Sequence, residues 1–178
     1  MVAFIPLNDG FAAIVDDADL PLVAPYHWRA DIRGDDDRRR VYAITGSPTG
    51  VNNPLIRMHR LIAGTPDGFE TDHRNHDTLD NRRSNLRVCT PSQNQANRRL
   101  NRNNKSGLRG VSWLNGRQKW VSTIRVNWQR IYLGQFDDIA DAAAAYDAAA
   151  IKHFGEFATC NRLRTARPAL AAPSEGAR

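Results

Sequence analysis

Thiols are scarce in this chain of 178 residues: Cys89 and Cys160 stand far apart, and neither belongs to a Cys-x-x-Cys pair. That excludes a four-thiolate zinc site and argues against a small scaffold held by disulfides. Long apolar runs are missing as well, and the opening Met-Val-Ala-Phe-Ile-Pro-Leu-Asn-Asp has no basic leader. Neither a signal peptide nor a membrane span is expected, and a cytoplasmic protein free to meet nucleic acid is the simplest inference. The third absence is of acid. Residues 98–136 hold no Asp or Glu but nine bases, Arg98, Arg99, Arg102, Lys105, Arg109, Arg117, Lys119, Arg125 and Arg130. Interleaved with Trp113, Trp120, Trp128 and Tyr132, this one-sign run reads as a surface for a polyanion. A merely solvated basic face would have acids interspersed. Residues 1–50 lean the other way, with eight acids against five bases, so the net charge of +6 understates the asymmetry.

The length allows one or two small domains with modest cores. Residues 3–62 read as short strands broken by turns: strands at 12–15, 26–33 and 41–45, a charged loop at 34–40 and a turn-rich stretch at 46–54. Residues 58–62 are apolar enough to pack, and 64–68 close that segment. Thr90 followed by Pro91 and Gln93 is a capping-box start, so a helix is expected over about 91–99 with Asn94 in its first turns. An extended segment ending at Asp72-His73 and a short returning strand at 86–88 precede it, giving a ββα unit. Residues 99–107 are polar and without apolar period, a linker and domain boundary. Beyond them lie three strand candidates, 108–113, 118–126 and 130–136, with Asn115-Gly116 and Asn127-Trp128-Gln129 at the turns. Ile139, Ala143, Tyr146, Ala150 and Phe154 then recur at helical spacing, with Asp137, Asp138 and Asp141 at the start and Gly155 at the end. Residues 165–178 read as a frayed tail.

Residues 71–97 are the most informative stretch. They place a carboxylate (Asp72), an imidazole (His73) and an amide (Asn94) in one short, Arg-rich unit. Phosphodiester hydrolysis needs a base for water, a cation for developing oxyanion charge and positive groups for the backbone, and candidates for all three occur here.

The segments 58–62, 71–73, 79–82 through 85–87, and 93–97 (Met-His-Arg-Leu-Ile, Thr-Asp-His, Leu-Asp-Asn-Arg through Asn-Leu-Arg, Gln-Asn-Gln-Ala-Asn) resemble phage and intron HNH homing endonucleases. The resemblance implies that His73 is the general base and that Asp72 and Asn94 ligate a divalent metal. It also implies that Asn85 braces the loop and orients His73 through backbone hydrogen bonds; the alternative for Asn85 is an ordinary turn residue. An amide oxygen in place of a second imidazole favours Mg²⁺ or Mn²⁺ over Zn²⁺. Arg82 and Arg87 are candidate phosphate clamps. A solution-like pKa near 6.5 suits His73 as a base, and Asp80 or Glu70 nearby could raise it. His59 could contact DNA or the metal site, or be a packed structural histidine.

Residues 108–161 resemble a second module, the ethylene-response-factor (Apetala-type) DNA-binding domain. Leu-Arg-Gly-Val at 108–111, Tyr-Leu-Gly-Gln-Phe at 132–136, Ala-Ala-Tyr-Asp at 144–147 and Phe-Ala-Thr-Cys-Asn at 157–161 carry that likeness. It implies a sheet in the major groove, with Arg109, Trp113, Arg117, Trp120, Arg125, Arg130 and Tyr132 as contacts; Trp120 could equally serve the core. Ser112 stands where plant members carry a further Arg, and Tyr132 where they carry Trp, so their sequence preference does not transfer.

The expected fold is therefore α+β. A short-stranded region leads into a ββα-metal nuclease unit within a domain of residues 1–98 (motif 58–97). A linker at 99–107 follows, then a three-stranded antiparallel sheet on one helix at 108–162, and a tail at 163–178. The expected activity is metal-dependent, site-directed cleavage of double-stranded DNA. The alternatives are a non-catalytic DNA-binding regulator with a decayed nuclease unit, and a protein directed at RNA.

Overall fold

The computed structural model describes residues 1–34, 39–46, 55–98 and 100–161, and the chain divides into two compact units, Met1–Arg98 and Arg99–Arg178. The architecture is mixed α and β, with several small antiparallel sheets and few helices.

In the first unit, β1 (Val2–Pro6) pairs antiparallel with β2 (Ala12–Asp16). Alternate residues of β2, Ala13 and Val15, are fully buried, the period expected of a strand with one covered face. A short helix α1 (Leu20–Val23) follows, and β3 (Arg29–Arg33), β4 (Arg40–Gly46) and β5 (Leu55–Arg57) form a second antiparallel sheet in that order. The strand expected from residue 26 starts only at Arg29. The Trp28 indole donates to the Val23 carbonyl (2.9 Å), tying the preceding residues to the end of α1. Residues 58–62 form a helix, α2 (Met58–Ala63), which Gly64 ends in the left-handed conformation (φ 58°). Met58 and Ile62 of α2 join Ala13, Val15, Val23, Trp28, Ala43 and Leu86 in one core. The N-terminal strands thus form the floor on which the 70–97 segment rests. That segment is a hairpin, β6 (Glu70–His73) and β7 (Leu86–Cys89), followed by helix α3 (Pro91–Ala96). The loops expected at 34–40 and 46–54 lie partly outside the described residues, as does Arg99 at the expected end of α3.

The second unit contains β8 (Val111–Leu114), β9 (Lys119–Val126) and β10 (Gln129–Phe136), antiparallel in the order 10-9-8, and helix α4 (Ile139–Phe154). Ala142, Ala143, Tyr146, Ala150 and Phe154 are the buried positions of α4, close to the apolar period read from sequence. Val111 packs with Ala142 and Ala143 between sheet and helix. A bulge in β10 between Tyr132 and Gly134 shifts the pairing by one residue. Parity along the strand flips there: Tyr132 is exposed, while Phe136, four residues on, packs against the core. Residues 104–107, expected as linker, are knitted into this unit. The Ser106 hydroxyl is buried and donates to the Val111 carbonyl (2.7 Å), and Asn104 Nδ2 donates to that of Leu108 (2.7 Å). The expected tail falls outside the described residues.

Candidate active site and basic sheet

The capping box read from sequence is present. The Thr90 hydroxyl accepts from the Gln93 amide, and the Gln93 side chain accepts from the Thr90 amide (2.8 Å). This fixes α3 directly after β7 and sets Asn94 and Asn97 against the hairpin. Glu70 and Asp72 alternate on β6 and so share the face that α3 covers. Asn94 Nδ2 donates to Glu70 Oε2 (2.5 Å), and Asn97 Nδ2 donates to both Asp72 oxygens (3.0 Å each). Asp72 also lies opposite Arg87 in the β6–β7 register, and the guanidinium donates twice to its Oδ2 (2.8 and 2.7 Å). Both side chains are nearly buried, 9% and 7% exposed. Arg87, read as a phosphate clamp, is therefore the counter-ion of Asp72.

His73 turns to the other side of the hairpin. Its ring meets His59 edge-on at 5.0 Å between centroids and Tyr42 at 6.5 Å. Its Nε2 donates to Asn81 Oδ1 (3.3 Å). The Asn81 amide is oriented by its own donation to the Leu79 carbonyl (3.2 Å), so Nε2 carries the proton and Nδ1 is the basic nitrogen. Burial lowers the pKa of His73 and outweighs the raising effects of the Asn81 hydrogen bond and of Asp72, Asp77 and Asp80. Asp80 acts in the raising direction expected of it, but the net shift is downward because the ring is inside the unit. His59 is pushed down to about 3, by burial first and the nearby His73, Arg57 and Arg60 next. Its Nδ1 is buried with no hydrogen-bond partner among the described residues. Of the two readings left open for His59, a packed position is the observed one.

The loop between the strands is braced from within. Asn85 Nδ2 donates to the Asp80 carbonyl (2.7 Å), its Oδ1 accepts from the Asn75 amide (3.1 Å), and its carbonyl accepts from the Arg74 amide (2.9 Å). Asn85 thus holds the loop, while the side chain that touches His73 is Asn81. Arg82 forks onto Asp80 with two 2.7 Å contacts and stays partly exposed. Arg83 reaches the N-terminal layer, where it grips the buried Asp19 through Nε (3.0 Å) and Nη2 (2.6 Å). A backbone bridge does the same: the Ile14 amide donates to the Leu79 carbonyl, and the Asn81 amide to that of Ile14, both at 2.8 Å. Asn81, fully buried, is consequently positioned by β2.

Asp72 and Asn94 thus share one face with Glu70, and His73 occupies the other. Sequence reading passed over Asn81, Asn97 and Glu70 as site residues, though Asn81 and Asn97 lay inside segments already singled out. The donors facing α3 are carboxylate and amide oxygens, which fit a hard cation such as Mg²⁺. For Asp72 to serve one, it must release Arg87 or Asn97. Among the described residues no cluster of three His, Cys, Asp or Glu side chains is arranged to hold a metal by itself.

In the second unit, Arg125 and Arg130 face each other across β9 and β10, with Thr123 and Tyr132 paired beside them. Arg125, Arg130 and Tyr132 are exposed, and Arg117 is exposed in the turn after β8. Trp113 and Trp120 are cross-strand partners stacked edge-on at 4.9 Å, and Trp120 packs with Phe136 and Ile139 against the core. Of the two readings open for Trp120, the core position is observed; the two indoles are not on the face of Arg125 and Arg130. Arg109 is half-buried, and its backbone amide and carbonyl are bracketed by the Asn161 side chain (2.6 and 3.2 Å). Burial lowers the Arg109 pKa.

Residues 58–96 match the family described as HNH endonuclease. The chain is 28% identical over 149 residues to an uncharacterized HNH endonuclease of Acanthamoeba polyphaga mimivirus, covering 80% of this chain and 71% of the relative. It is 36% identical over 59 residues to protein 3.8 of Escherichia phage T7, covering 33% of this chain and 49% of that protein. No helix among the described residues is long and apolar enough to cross a membrane.

Proposed function

We propose, from an HNH endonuclease domain at residues 58–96 and homology to a viral HNH endonuclease, that this chain is a metal-dependent, site-directed DNA endonuclease. A nuclease domain takes nucleic acid as substrate; double-stranded DNA is the proposed form. What supports the reading is the hairpin and capped helix that carry these residues, Asp72 and His73 at the end of β6 and Asn94 on α3, with His73 Nε2 3.3 Å from Asn81 Oδ1. His73 Nδ1 takes the proton from the attacking water. Asn81 fixes the ring, and Asn85 keeps the loop beneath it in shape. Asp72 and Asn94 would hold a hard divalent cation, Mg²⁺ or Mn²⁺, which supplies charge for the leaving oxygen. Arg82, partly exposed, and Arg87, once displaced from Asp72, would meet phosphate.

The second unit is proposed as the tether. A three-stranded sheet on one helix, with Arg125, Arg130 and Tyr132 exposed on the sheet and Arg117 at its end, supports the likeness to Apetala-type DNA-binding domains drawn from sequence. Phosphate contacts supply affinity there and base contacts supply selection. One observation favours the rival reading of a non-catalytic binder: Asp72 is fully engaged by Arg87 and Asn97.

Nicking of supercoiled plasmid with Mg²⁺ decides between them. Wild type should cleave and His73→Ala should lose about 10²–10⁴-fold in rate while keeping its affinity for duplex. Equal rates would remove His73 from the mechanism, and no cleavage by either protein would leave the binder. A single site of this kind cuts both strands only as a dimer or by sequential nicks, which end-mapping of both strands distinguishes.

A further inference from the structure

The β9–β10 hairpin ends in a two-residue turn, Asn127-Trp128, in which both residues have left-handed backbone, φ 47° and 69°. Turns of this kind favour Asn first and glycine second, because a side chain at the second position crowds its own backbone. This chain puts the largest side chain there. The indole is also 66% exposed, so little packing among the described residues offsets the strain. A second unfavourable choice adjoins it: Arg125 and Arg130 are direct cross-strand partners of like charge. No acid occurs anywhere from 98 to 136 to relieve them. Tyr132, 58% exposed, lies beyond Arg130 on the same strand. Strained backbone, unsupported indole and opposed guanidiniums at one hairpin end are explained together by a partner that is polyanionic and offers flat apolar rings.

Building on the reading of this unit as a DNA tether, we infer that the Trp128 turn is a base-stacking tip. The indole stacks on a nucleobase that has left its pair, while Arg125 and Arg130 hold the phosphates on either side. A perfect duplex offers phosphate to the arginines but no open ring face to the indole, so the tip favours duplex that is unstacked at one point. Stacking of one base on an aromatic side chain is worth about tenfold in affinity.

The test uses the full chain in Ca²⁺, two 30-base-pair duplexes of identical mixed sequence, one with a single unpaired base at its centre, and titrations at several salt concentrations. Wild type should bind the bulged duplex about tenfold more tightly than the perfect one. Trp128→Gly should abolish that preference and leave the perfect-duplex affinity and its salt slope unchanged. Trp128→Phe should keep most of the preference. Because glycine suits the turn, Trp128→Gly should also melt no lower than wild type, which separates lost stacking from misfolding. Equal binding of both duplexes by wild type, or a preference that survives Trp128→Gly, overturns the inference and leaves the tether standing. Absence of salt-dependent binding to either duplex overturns the tether and the tip together.

Discussion

At the residue scale, burial decides how the ionisable groups behave. His73 sits inside the unit, and burial lowers its pKa below the ordinary 6.5, so the neutral ring predominates at that pH and above. As pH falls, the base is lost only once the ring protonates, so the acid limb of the cleavage rate should have its midpoint below 6.5. A pH–rate profile whose acid limb centres at 7 or higher would contradict the geometry. The Asp72–Arg87 pair makes a second prediction. With both partners nearly buried, Arg87→Met leaves a carboxylate without its counter-ion and should cost the metal-free protein about 3 kcal/mol. A guanidinium and a cation compete for the same oxygens, so Mg²⁺ should raise the melting temperature of Arg87→Met more than that of wild type. Identical shifts would mean that Asp72 holds no metal.

At the element scale, the short pieces were legible wherever the signal was chemical and local. Thr90-Pro91 and Gln93 mark the start of α3, and the capping box forms as read. The apolar period of α4 matches its buried face because that period is itself the packing pattern. Strand edges were harder. The expected start at residue 108 gives way to Val111, because Gly110 turns left-handed (φ 66°) where the chain passes α4. A Cβ at Gly110 would stand 2.2 Å from the Tyr146 ring and 2.3 Å from the Thr123 carbonyl oxygen. Gly110→Ala should therefore destabilise the second unit by about 3 kcal/mol or more, adding overpacking to left-handed strain. Urea unfolding followed by Trp fluorescence measures it; a loss below about 1 kcal/mol would show that helix and sheet are not held this close.

At the scale of the whole molecule, charge and chemistry are divided between the two units, Met1–Arg98 and Arg99–Arg178. If the basic sheet supplies the phosphate contacts, substituting Arg117, Arg125 and Arg130 together by Gln should weaken duplex binding and reduce the slope of log affinity against log salt by about 3. The cleavage rate at saturating DNA should not change. An unaltered slope would move the binding surface elsewhere. The N-terminal region, which carried only a pattern of short strands, supports the candidate site: β2 holds Asn81 by backbone bridges, and Asp19 holds Arg83.

Local sequence determined where the hairpin, its capped helix and the basic sheet lie, and which residue types were available for hydrolysis, because spacing, caps and charge runs are properties of neighbours along the chain. Which nitrogen of His73 is basic, which side of the hairpin it faces, what neutralises Asp72 and which indoles are buried depend on residues 8 to 25 positions away: Asn81, His59, Arg87, Asn97 and Phe136. Those contacts exist only once strands pair and a core excludes water, so tertiary structure alone decided them.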